Sequence, residues 1–158
     1  MSTDPEHKPL RATDITMDDA WAIHDFLVPR LESLQRAHGD ATEEHRTAAA
    51  LAEAVSALIL LIEREIRGPM RPRLAQSSAR PPAHAPAPTE SERIAKEKQR
   101  LTMTREYWNQ LHGIVQIWRE SDGYDQARWQ LVSFLDAAAE AEYQRHVTEA
   151  GLRKAARP

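Results

Sequence analysis

An all-α fold is what this sequence predicts: two long antiparallel helical hairpins packed as a four-helix bundle and joined by a Pro-rich linker. Three observations carry that expectation. Apolar side chains recur in steps of three and four along four stretches, which is the spacing of one helix face. Six prolines crowd the segment from Pro69 to Pro88 and interrupt the pattern in the middle. Only five glycines and no cysteine occur in 158 residues, so turns are few and neither a disulfide nor a thiolate site braces the fold.

A chain of this length buries a core without a covalent staple. Its opening residues, MSTDPEHKPLRATD, are polar and hold no apolar run, so a secretory signal is not expected and a cytoplasmic protein is. The most apolar stretch, Ala48 to Ile62, is interrupted by Glu53 and falls short of the roughly 20 residues a membrane helix needs. No membrane partner is therefore expected.

The net charge of −3 hides an asymmetry. Residues 1–66 carry 13 acids and 6 bases, and residues 67–158 carry 11 acids and 15 bases. The first half is acidic and the second basic, so the two should attract, within one chain or between two.

The first element is expected to begin after a polar N-terminal segment, 1–15, read as flexible. Thr16 and Asp19 make a capping box, and Asp18 and Asp19 suit the positive end of a helix dipole. Helix 1 then runs on Ala20, Ile23, Leu27, Leu31 and Leu34, with Pro29 inside the pattern and expected to kink it. Asp40, with Glu43 three residues on, is read as the cap of helix 2. Its stripe is Ala48, Leu51, Val55, Leu58, Ile62 and Ile66, while Leu60 points about 180° away from Leu51 and needs a cover or is exposed. Gly68-Pro69 stops the helix, which makes 16–67 the first hairpin.

Residues 68–88 form the linker. Thr89 and Glu92 open helix 3 with a further capping box, and Ile94, Leu101, Trp108, Leu111, Val115 and Trp118 give the longest stripe in the chain. Ser121-Asp122-Gly123 is read as a short turn, after which Tyr124 or Asp125 opens helix 4, running through Leu131, Val132, Leu135 and Tyr143 to about Glu149. Residues 89–150 are thus the second hairpin, and 151–158 a basic flexible tail. Two helices alone leave half of each apolar face in water, so the two hairpins are expected to share one core.

Enzymatic templates are missing from the sequence. There is no glycine-rich phosphate loop, no nucleophile elbow and no paired catalytic signature, so no catalytic residue and no cofactor are assigned. Three constellations remain. Surplus apolar and aromatic residues, Phe26, Leu60, Trp118, Tyr124 and Trp129 with Arg128, have the composition of interface anchors. Asp125 is expected to cap helix 4 and pair with Arg128, whose guanidinium suits an indole face. A basic set, Arg71, Arg73, Arg93, Lys96, Lys98 and Arg100, is the candidate nucleic-acid surface, diluted by Glu97. In a closed bundle His24, Glu65, Glu97, Glu142 and His146 fall at one end, a ligand set a divalent transition metal would accept.

The leading expectation is a non-enzymatic interaction or adaptor protein that associates with itself or with another protein. The alternatives are a DNA-associated regulator using the basic start of helix 3 and a metal-binding bundle using the polar end.

Overall fold

A computed structural model describes residues 8–68 and 86–156. The fold is all-α, with one two-stranded pairing added. In order along the chain are β1 (Leu10–Arg11), a 3-10 turn at Ala12–Asp14, α1 (Met17–Ala37), α2 (Glu43–Arg67), α3 (Glu90–Val115), a 3-10 turn at Gln116–Trp118, β2 (Val132–Phe134) and α4 (Ala137–Ala155).

Local chemistry sets most helix starts. Thr16 accepts from the Asp19 amide and the Asp19 carboxylate returns to the Thr16 amide, so α1 opens on the expected box. Thr89 and Glu92 do the same for α3. α2 is capped by Thr42 rather than Asp40: the Thr42 hydroxyl oxygen accepts from the His45 amide, while its amide and its hydroxyl hydrogen bond back to the Gly39 carbonyl. Pro29 does not divide α1, which is one helix of 21 residues.

The core is built by α2 lying between α1 and α3. Ile23, Leu27 and Leu31 of α1, Val55, Ile59 and Ile62 of α2, and Trp108, Leu111 and Val115 of α3 are all fully buried. Each of these trios follows a helical period, and eight of the nine residues belong to the expected stripes, Ile59 being the one that does not. Thr104 is the one buried polar residue among the described residues, and its hydroxyl donates to the Arg100 carbonyl at 2.9 Å. α2 is also long and apolar enough to cross a membrane by length and composition, with a mean hydropathy of 1.5 over its most apolar window. That differs from the expectation drawn from Ala48–Ile62 alone.

Two expectations about the ends of the fold are corrected. Residues Leu10 to Ile15, read as part of a flexible terminus, are tied down: Leu10 and Arg11 pair in parallel with Val132 and Phe134, and the Thr13 amide donates to the Leu135 carbonyl. Ala12 and Ile15 are buried there. Apolar residues two or three apart were enough to anchor a segment too short to show any period.

The second correction concerns the second hairpin. Helix 4 does not open at Tyr124 or Asp125; it opens at Ala137, where the Asp136 carboxylate accepts from the Ala139 amide at 2.9 Å. Residues 119–136 form instead a cover of turns and one strand. Val132, Ser133 and Phe134 alternate buried, exposed and half-buried, a period of two that a helical template hides. Gly151 does not stop α4, which continues into the supposed tail as far as Ala155. Glycine there costs helix propensity without ending the helix.

Gly113 lies inside α3 with helical backbone and no heavy atom within 4 Å of an added Cβ. The residue is tolerated, not required. Gly113→Ala is expected to stabilise the chain by about 0.5–1 kcal/mol, read as a higher urea midpoint at unchanged slope.

Candidate functional site

The aromatic corner exists, but it faces inward. Phe26, Tyr124 and Trp129 meet edge to face, with ring centroids 5.0 Å apart for Phe26–Trp129, 5.1 Å for Tyr124–Trp129 and 6.0 Å for Phe26–Tyr124. Phe26 is 7% exposed and Trp129 5%, so neither is available to a partner. Trp118 and Tyr124 are half-buried against the same core, and burial pushes the Tyr124 hydroxyl up from its ordinary pKa. Phe26 and Trp129 were expected to supply surplus surface; they lock the cover instead.

Ionic and polar ties fix that cover. The Arg128 guanidinium reaches Asp19 in α1 with two bonds, Nε to Oδ1 at 3.1 Å and Nη2 to Oδ2 at 2.6 Å. Asp125 accepts from the Arg128 amide at 3.0 Å, not from its side chain, so the expected local pair is replaced by one across 109 residues. The guanidinium that stacks is Arg30, 3.6 Å above the Phe26 ring and donating to the Asp122 carbonyl at 2.9 Å. Sequence reading passed over Arg30, although four residues from Phe26 on a helix is contact distance.

Beneath the cover, Trp108 Nε1 donates to the Gln130 carbonyl at 2.7 Å. Asn109 holds Val132 from both sides: its Oδ1 accepts from the Val132 amide at 2.8 Å and its Nδ2 donates to the Val132 carbonyl at 3.3 Å. His112, partly buried one turn along α3, has its pKa lowered by that burial, with the Trp129 backbone acting the other way. All of these groups are consumed by structure.

The metal set is not brought together. His24 is half-buried and pairs with Asp25 at 3.2 Å; Glu97 is exposed and bonded to Arg100, which holds its carboxyl below the usual range. Glu65 offers Arg100 its backbone carbonyl, and Glu142 and His146 are an exposed pair on α4 with 3.7 Å between them. Among the described residues no three His, Asp or Glu are grouped to hold a metal ion. The polar end layer required α4 to lie in the bundle, and it does not.

Of the basic set, Arg71 and Arg73 lie outside the described residues. Arg93, Lys96 and Lys98 are exposed on the first turns of α3, whereas Arg100 is engaged by Glu97 and Glu65. That leaves three scattered bases beside three glutamates.

The apolar surface that is exposed lies elsewhere. Leu60 is 61% exposed, as its position opposite the core stripe requires. α4 has no buried residue, and every residue from Ala141 to Ala156 is exposed, Tyr143 and Val147 at 53% and 47%. The start of α4 alone is attached: Arg11 Nε donates to Glu140 at 2.6 Å, and the Tyr143 ring sits 5.4 Å from that of Phe134. An uncovered α4 was the signal missed, because helix 4 was assumed to continue the core stripe. Comparisons with protein-family models, with curated proteins and with solved structures gave no match to this chain.

Proposed function

We propose that this chain is a non-enzymatic helical interaction protein that associates with a second copy of itself. The observation behind this reading is α4, a helix of 19 residues with none buried. Most helix stability in proteins comes from burying an apolar face rather than from propensity alone. Tyr143, Val147 and Ala150 follow one another in steps of four and three, so α4 has such a face, and the other described residues leave it uncovered. An exposed helix of this kind gains its stability by docking.

Light scattering after gel filtration tests the reading. The full chain is expected at twice the monomer mass at about 100 μM, a concentration at which even a micromolar complex is formed. Tyr143→Asp with Val147→Asp is expected to give a monomer whose core melts as before, since neither side chain is buried. A full chain that stays strictly monomeric rules this reading out.

A further inference from the structure

We propose that the groove between α1 and α2 seats α4 of a second copy, so that two chains exchange their last helices and each closes a four-helix arrangement in trans. This rests on the self-association reading and names the surface that carries it. The groove is lined by Val28 of α1 and by Ala49, Ala52 and Ser56 of α2, with Glu32 and Glu53 its acidic members and no Lys or Arg among its lining. None of its lining residues belongs to the buried trios of the core.

Apolar anchors stand at one end of it. Trp21, 40% exposed, sits edge-on to His24 in the groove wall, ring centroids 5.0 Å apart. Leu60 follows Ser56 by one turn on α2 and therefore shares its face. The connection from α1 to α2 is only His38 to Thr42, which makes the helices antiparallel and brings Trp21 and Leu60 to the same end. Both are large side chains whose exposure the monomer leaves unexplained.

Complementarity identifies the occupant. Over all of α4 three acids and three bases balance, but Glu140 and Glu142 fall in its first turns, and from Tyr143 to Ala155 Arg145, Arg153 and Lys154 stand against the single acid Glu149, opposite in sign to Glu32 and Glu53. His24 to Gln35 along the groove and Tyr143 to Lys154 along α4 each span eleven helical rises, about 17 Å. Within one chain α4 is turned away, its first turns held by Arg11 and Phe134. A reciprocal exchange covers α4, Trp21 and Leu60 together and closes at two chains by a two-fold axis.

Charge reversal tests this on the full chain. Glu32→Lys with Glu53→Lys is expected to weaken the dimer about tenfold or more in sedimentation at low salt, as is Arg153→Glu with Lys154→Glu. All four changes in one chain are expected to restore it, because each groove then meets an α4 of the reversed sign. All six sites of substitution, counting Tyr143 and Val147, lie off the buried core, so the thermal melt of that core should be unchanged. If Tyr143→Asp with Val147→Asp dissolves the dimer while the charge reversals leave it intact, self-association stands and the groove is not its seat. If the four-fold variant stays as weak as either pair alone, the groove assignment is overturned. If the full chain is a monomer throughout, both proposals fall.

Discussion

Trp108→Ala is expected to cost about 3–5 kcal/mol, the largest loss available from a single side chain here. Trp108 is fully buried in the last third of α3, in one cluster with Val55, Ile59 and Ile62 of α2 and Trp129 and Val132 of the cover. Removing the indole leaves a cavity among rigid helices and strips the Gln130 carbonyl of its donor. Urea unfolding measures the loss directly. Trp108→Phe separates the two contributions, since it keeps most of the volume and removes the N–H; about 1–2 kcal/mol is expected from it. Equal losses from the two variants would mean that packing at this site contributes little.

Asn109→Ala comes second, at about 2 kcal/mol, because it leaves a buried amide and its carbonyl unpaired. Val132 is 2% exposed and its backbone has Asn109 on both polar groups. The effect should be local before it is global. Hydrogen exchange at the Val132 amide is expected to accelerate far more than exchange at Ile59 or Leu111, since opening the cover does not require separating α2 from α3. Uniform acceleration at all three would show instead that the cover and the helical core open together.

These two residues also show what was legible beforehand. Trp108 belongs to a stripe at helical spacing, and the stripes of α1, α2 and α3 contain every member of the buried trios except Ile59, because a period repeated over five or six positions is hard to mimic by chance. Asn109 carries no such signal. Its role depends on a strand partner 23 residues away, and a single polar residue beside a stripe reads as surface. Residues 119–136 were misread for a related reason: Leu131, Val132 and Leu135 satisfy a helical template, while Trp129, Val132 and Phe134 answer to a cover laid on an existing core. Asp136 before Ala-Ala-Ala-Glu was the available sign of where α4 begins. Once helix 4 was placed too early, the proposed metal layer and the closed bundle followed from it. Thr16 and Thr89, by contrast, were legible because a capping box is complete within four residues.

Leu10 pairing with Val132 is a small contact with a large reach. Every buried residue of the described chain, from Ala12 to Val132, lies between those two positions in sequence. The clasp therefore brackets the buried residues, and just beyond it Leu135 packs half-buried against the same interior. Beyond Tyr143, substitutions in α4 reach no buried residue of the described chain, so the fold of the chain itself leaves that part of the helix free to diversify.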